Sequence, residues 1–459
     1  MKITKDEKGI TLIALIITII ILLILAIVSI RAIKDGGILS KTQTAKEVYS
    51  EAEEKEKIQL AINQAAIDGL GTIKEEHLTP ALNEQFGEGN WEYTKKKEGE
   101  YLVVRINASQ RKYIINTDGT METTEDIELS EESMFYYKGT VVAGFSTKGK
   151  EKINNAPKGA EVKLKIPQIL SDGTKITGIE EKTFSIYNVN ARDVKIENIT
   201  SVEIPDGVTK IEQYTFCGCT NLSSITMTSS IQSIEKGAFN GCTSLTDVEI
   251  PESVVSIGGW AFTDCISLKN ITIPNGVGSI DEWTFAQCTG LTNITIPNSV
   301  ISIGDWAFYE CTSLESVTIP SEIIGEDAFF RCENLKTITI GNNVKSIGER
   351  AFLRCTSLES VTIPSGIIRK GAFSYCENLK NIAIGNNVTS IEENVFSNCN
   401  ITKIEIPQTV TTVGSNVFYN CKELTDIYCP GNQSKPDGWD MYWKNGTSAT
   451  VHWNETMPK

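Results

Sequence analysis

Apolar positions fall into three regimes along this chain. From Ile10 to Ile30 they run without a charge. From Ala45 to Ala66 they come at helical spacing, at Ala45, Val48, Tyr49, Ala52, Ile58, Leu60, Ile62, Ala65 and Ala66. From about residue 160 to Cys429 they come in short groups two and three apart, and the groups themselves recur. Period 2 over a few residues is the pattern of a short strand with one face inward. A fixed period of 20–50 residues marks one structural unit stacked many times.

The recurring unit is anchored by Phe-x-x-Cys. Its phenylalanines are Phe216, Phe239, Phe262, Phe285, Phe308, Phe329, Phe352, Phe373, Phe396 and Phe418, and the step is 23 residues, shortened to 21 or 22 three times. The copy from Cys265 continues through Leu268, Ile271, Ile273, Pro274, Val277, Ile280 and Phe285. Ile271 and Ile273 point to one side of a short strand, which Pro274 stops because it has no ladder donor. Val277 and Ile280 suit a second short inward segment. Thr284 departs from the alanine that six of the ten copies carry before phenylalanine. One unit cannot bury its own apolar side, whereas stacked units share a continuous core. Rungs about 4.8 Å apart make ten rungs about 50 Å long. Residues 311–354 and 355–398 agree at 30 of 44 positions, a duplicated two-unit block. Each copy holds a 21-residue unit, at 321–329 and 365–373, where a local change of curvature is expected.

This pattern resembles the BspA-like bacterial leucine-rich repeats, with their IPxxVxxIGxxAFxxCxxL consensus. The match is strong over 201–430, and a weaker first unit reaches back to about 160 through Ile179, Phe184, Ile204, Pro205, Val208 and Ile211. The resemblance implies an α/β leucine-rich-repeat solenoid of short parallel strands, a sheet on one face and a mostly irregular or 3-10 outer side. It also implies display at the cell surface and adhesion to a protein or glycan.

The 21 residues from Ile10 to Ile30 make about 31 Å of helix, enough to span a bilayer. The segment Lys8-Gly9-Ile10-Thr11-Leu12-Ile13-Ala14-Leu15 resembles the G-F-T-L-I-E-L motif of type IV prepilins. That resemblance implies cleavage by prepilin peptidase after Gly9 and methylation of Ile10. Ala14 stands where that family carries the glutamate used in filament assembly. A minor or tip subunit, partnered by other pilins, is therefore the alternative to a plain surface binding protein.

The expected organisation is a leader at 1–9, a transmembrane helix at 10–30 and a helical stem at 31–71. A small α+β unit at 72–125 and a linker with the start of a cap at 126–160 follow. Repeats occupy 161–429 and a C-terminal cap 430–459. The stem helix is expected to begin at a Ser40–Gln43 capping box and to turn the charged run 51–57 to solvent. A short helix over 74–85 and strands over 91–95, 101–107 and 112–116 follow. Trp439, Tyr442, Trp443 and Trp453 are expected to cover the last rung.

A net charge of −15 makes nucleic acid an unsuitable ligand. With only His77 and His452 there is no triad, and no phosphate loop or zinc motif is present. No cofactor, metal or catalytic activity is expected. The 12 cysteines suit small buried apolar positions. The candidate binding platform is the column two residues before each phenylalanine. It accepts Gly, Asp, Arg and Asn, yet holds Tyr214, Trp260, Trp283 and Trp306.

Overall fold

The computed structural model describes residues 38–69, 73–97, 101–124, 126–188 and 192–458. The leader with Gly9 and Ile10, the apolar stretch 10–30 and Ala14 lie outside them. Among the described residues no helix is long and apolar enough to cross a membrane. The described residues form two compact units, one drawn from those up to 124 with 157–160, the other from 126–156 and those from 161 on.

The first unit is a long helix on an antiparallel sheet. Helix α1 (Ile38–Asp68) and helix α2 (Glu75–Phe86) precede strands β1 (Trp91–Lys97), β2 (Tyr101–Ile106), β3 (Lys112–Asn116) and β4 (Met121–Thr124), which pair in sequence order. Ser40 lies inside α1, because no breaker separates it from Ile38, so the helix does not start at the expected box. The inward stripe is Ile58, Ala61, Ile62 and Ala65, spaced as one helical face, and it packs with Leu78, Leu82, Val104, Ile106, Tyr113 and Ile115. Leu60 and Tyr49 point outward instead.

Glu54 extends the inward stripe one turn back. Against the expectation for the charged run it is buried, accepting hydrogen bonds from Tyr113 Oη (2.8 Å), Ser109 Oγ (2.9 Å) and Arg111 (3.3 Å). A buried carboxylate is tolerable when it is so satisfied. Tyr101, Val103 and Ile114 form a separate cluster. Residues 157–160 cover it: Lys158 Nζ stands 4.6 Å from the Tyr101 ring centroid, and Gly159 packs on Ile114 and Val103.

The second unit begins at the very start of 126–160, where a linker is expected. Strand β5 (Ile127–Leu129) pairs in parallel with β8 (Val162–Lys165), Leu129 opposite Leu164. The acidic neighbours concealed an apolar-x-apolar strand. Between them a hairpin of β6 (Phe135–Lys138) and β7 (Val141–Phe145) leads into helix α3 (Thr147–Asn154), capped by Ser146. β7 pairs in parallel with β9 (Gly178–Ile179).

From there on each rung carries two parallel ladders, not a sheet on one face only. In the Cys265 rung, 270–272 pair with 293–295 and 279–280 pair with 302–303. The proline stands at the corner between them. Ile271, Ile273, Val277, Ile280, Phe285, Cys288 and Leu291 are all buried in one continuous core running from Leu129 to Ala449. The phenylalanines stack face to face along it, with centroids 4.9 Å apart for Phe308–Phe329 and 6.0 Å for Phe396–Phe418. Thr284 fits the alanine position because its hydroxyl donates to the Asp281 carbonyl at 2.8 Å.

The shortened units keep register. Ile324 stands opposite Ile303, and buried Ser321 donates to the Val300 carbonyl at 2.9 Å where a longer unit would place valine. In the second block the strand over Ser360–Ile368 runs unbroken across the corner and joins the two ladders. At the C-terminal end Trp439 and Trp443 are buried over the last rung and Trp453 is half-buried, but Tyr442 is exposed.

Candidate functional site

The outer side of each rung is a run of turns rather than a 3-10 helix. Within it every other amide bonds the next rung: Trp260 N–H to the Glu282 carbonyl (3.0 Å), Phe262 to Thr284 (2.9 Å), Asp264 to Ala286 (2.9 Å). The amides between them close local turns, as Ala261 does onto Gly258 (3.3 Å). Such a path requires left-handed backbone at two positions per rung. One is the column of Tyr214, Gly237, Trp260, Trp283, Trp306, Asp327, Arg350, Gly371, Asn394 and Asn416, with φ between 50° and 65° throughout. The other lies two residues after each phenylalanine, for example Gly241, Asp264, Gln287, Glu310 and Asn398.

The Gly and Asn content of the first column therefore reports backbone conformation as much as exposure. The second column was missed. Its own Gly218, Gly241, Asn398 and Asn420 were the signal.

Three tryptophans in left-handed backbone are unusual, since bulky residues avoid it. They are half-buried, not freely exposed. Trp260 and Trp283 stack at 4.9 Å and 19°, Trp283 and Trp306 at 5.3 Å and 16°. Four of their six ring faces are thus turned to one another, and along the stack edges are what they offer outward. Tyr309 tilts against Trp283 at 5.6 Å and stacks on Phe330 at 5.2 Å. None of these five aromatics belongs to the core. They form a separate ridge on the turn side. Tyr214 does not join it: its ring lies over Gly237 and meets Tyr187 edge-on at 5.5 Å.

The ridge lies among carboxylates. Asp281, Glu282 and Asp305 precede the tryptophans or flank them, and Asp264 and Glu310 follow on the other side of the phenylalanine column. Burial pushes the Asp264 carboxyl above the usual range. Beyond Trp306 the column continues as Asp327 and Arg350, paired at 2.7 Å, with Arg350 also holding Glu349 (2.6 Å) and Glu326.

A model of the BspA-type leucine-rich-repeat region matches residues 194–288, 255–369 and 365–437, together more than half of the chain. The chain belongs to the BspA-type leucine-rich-repeat family. Among solved structures it is similar to a leucine-rich cell-surface protein of Faecalibacterium prausnitzii, at 26% identity over 79% of this chain and 95% of that one, with a TM-score of 0.41. The pneumococcal vaccine antigen PcpA is similar at 20% identity over 73% and 82% of the two chains, also with a TM-score of 0.41. A Treponema pallidum leucine-rich repeat protein is similar at 23% over 50% and 90%, with a TM-score of 0.34. No curated protein matches.

In this BspA-type chain all 12 cysteines are buried free thiols. Each column thiol donates to the phenylalanine carbonyl of the preceding rung, as Cys265 Sγ does to Phe239 (3.3 Å) and Cys288 Sγ to Phe262 (3.1 Å). The outward threonines Thr272, Thr295, Thr318, Thr339 and Thr362 form a flat exposed row on the first ladder. A cleft of about 530 Å³ lies beside the first rungs, with Tyr136, Tyr187, Lys138 and Glu180 in its lining; Lys138 and Glu180 neutralise each other at 2.6 Å.

Proposed function

We propose that this is a surface-displayed, membrane-anchored binding protein whose BspA-type solenoid recognises a partner through the aromatic ridge of Trp260, Trp283 and Trp306. The observation carrying this reading is the stack itself. Three strained indoles sit outside the core, where Gly or Asn would suit the backbone better and the fold gains little. Tryptophan and tyrosine dominate binding hot spots. Recognition by a repeating surface, rather than catalysis, suits a family built of stacked rungs.

Asparagine already occupies this column at Asn394 and Asn416 with the same backbone sign. Replacing the three tryptophans by asparagine therefore removes the rings without opposing the turn. Bacteria displaying the full chain should adhere to epithelial layers or their matrix, and the triple variant should lose most of that attachment. Equal attachment by a folded, equally displayed variant sinks the reading.

Anchoring rests on the apolar stretch 10–30 and on the prepilin-like Gly9–Ile10 junction. Mass spectrometry of membrane-extracted protein should find a mature chain beginning at methylated Ile10; an intact Met1 defeats the processing proposal. A second reading, a minor or tip subunit of a pilus or secretion pseudopilus, is favoured by one observation: a 31-residue helix packed on a four-stranded antiparallel sheet next after that stretch. Sheared filaments should then carry the chain.

A further inference from the structure

We infer that the partner of the tryptophan ridge is a basic polypeptide segment, one rich in Lys and Arg. This rests on the ridge being the contact surface, as proposed above. Residues 258–310, which hold all three tryptophans, contain Asp264, Asp281, Glu282, Asp305 and Glu310 against a single cation, Lys269. All five acids lie on the turn side, within four residues of a column phenylalanine; Lys269 instead precedes the first strand of its rung.

The protein supplies little to neutralise them. Glu310 pairs with Arg331 at 3.0 Å, and among the described residues Glu282 pairs only with the exposed Lys236, at 3.8 Å. Asp264, Asp281 and Asp305 form no ion pair among the described residues; Asp281 accepts from Ser279 Oγ (3.0 Å) and Asp305 from the Glu326 amide (2.8 Å). Elsewhere on the same flank, Asp327, Glu326 and Glu349 are gathered by Arg350. The cation-poor stretch therefore ends beyond Trp306, where Arg331 and Arg350 enter the flank.

The rings fit the same occupant. Four of their six faces are spent on each other, both faces of Trp283 among them, so a flat sugar ring could lie only at the two ends of the stack, while its length offers edges. The indole N–H groups donate to no described residue, and none of them is a fully buried orphan. They can meet the carbonyls of an extended backbone. The alkyl stems of Lys and Arg cover apolar edges while their heads reach the flanking carboxylates. Opposite charge at the rim speeds encounter and rejects acidic competitors.

The test uses the full chain with three probes of equal size: a soluble Lys/Arg-rich peptide, its Glu-substituted counterpart and a neutral glucose oligomer. The basic peptide should bind, and the other two should not. Affinity should fall about tenfold or more between low and about 0.5 M salt, as for exposed charges. The Asp264→Asn, Asp281→Asn, Asp305→Asn variant should lose a similar factor. It keeps the tryptophans, and asparagine suits the left-handed backbone at 264.

Salt-insensitive binding, equal binding by the charge variant, or preference for the oligosaccharide overturns the proposal. If the tryptophan variant abolishes cell attachment while the basic peptide fails to bind, the ridge remains the contact surface and only its basic occupant is refuted. If the tryptophan variant attaches normally, both fail.

Discussion

Trp283 and Trp306 stack at 5.3 Å although both hold left-handed backbone, at φ of 58° and 55°. Strain and stacking oppose each other at the same residues. Left-handed backbone costs a residue with a Cβ about 1–2 kcal/mol, and an aromatic pair returns about 0.5–1.5 kcal/mol. Trp283→Asn relieves the strain at one residue and removes two stacks, so its net effect on stability should lie between a gain of about 1 kcal/mol and a loss of about 2 kcal/mol. Phe285→Ala in the same rung should instead lose about 3–5 kcal/mol, the range for a core aromatic. Denaturant midpoints of the two variants check this. A Trp283→Asn loss as large as that of Phe285→Ala would place the indole in the core after all.

The cysteine column makes the solenoid sensitive to alkali. Burial pushes Cys376 of the column up to about 12 and Cys421 to about 11, and outside the column Cys429 to about 12 and Cys217 to about 11, while a free thiol ionises at about 8.5. Below that value both states are protonated and the thiols are neutral to stability. Above it the unfolded chain loses protons that the folded chain retains, so stability falls as pH rises toward 11 and 12. Each buried thiol contributes about 1.4 kcal/mol of loss per pH unit in that window. Serine keeps a donor for the phenylalanine carbonyl and does not titrate there. Cys265→Ser, Cys288→Ser and Cys311→Ser combined should flatten the fall in midpoint between pH 8.5 and pH 10.5. An unchanged slope would mean that other groups carry it.

The columns that build the core were legible because a 23-residue period gives every copy of a position the same surroundings. Phe285, Cys288, Leu291 and Ile271 each face inward as their spacing requires. The turn side was legible only in part. Gly237, Asn394 and Asn416 mark a column where side chains matter less than backbone sign. The tryptophans were found as an anomaly in that column, but their stacking on one another was a matter of rung spacing meeting ring size. Strand β5 was hidden because the acidic residues around Ile127 and Leu129 mask their alternation. That residues 157–160 belong with the first unit could not be read at all, since the pattern of four residues does not say which distant sheet they cover.

Those four residues make a prediction about the first unit. Gly159 has φ of 77°, and a Cβ there would stand 3.1 Å from Ile114 and 3.2 Å from Val103. Gly159→Ala in the full chain therefore combines backbone strain of about 1–2 kcal/mol with a tight contact on two buried side chains. Hydrogen exchange at Val103 and Ile114 should accelerate, while protection at Ile271 and Ile294 in the repeats stays unchanged. Uniform loss of protection in both units would contradict their separate cores.

The buried carboxylate of α1 offers the last test. Glu54 joins the helix to β3 through Tyr113 Oη at 2.8 Å and to the β2–β3 turn through Ser109 Oγ at 2.9 Å. Tyr113→Phe deletes one donor and leaves the carboxylate buried with fewer partners, which costs more than the hydrogen bond alone. A loss of about 1–3 kcal/mol is expected for this unit. Adding Glu54→Gln removes the charge that Tyr113 and Arg111 serve. If the partnership is as the geometry shows, Tyr113→Phe should cost less in the Gln background than in the native one, because no buried charge is then stranded. Additive losses would mean that Glu54 is satisfied by solvent and that α1 is held to the sheet by Ile58, Ala61, Ile62 and Ala65 alone.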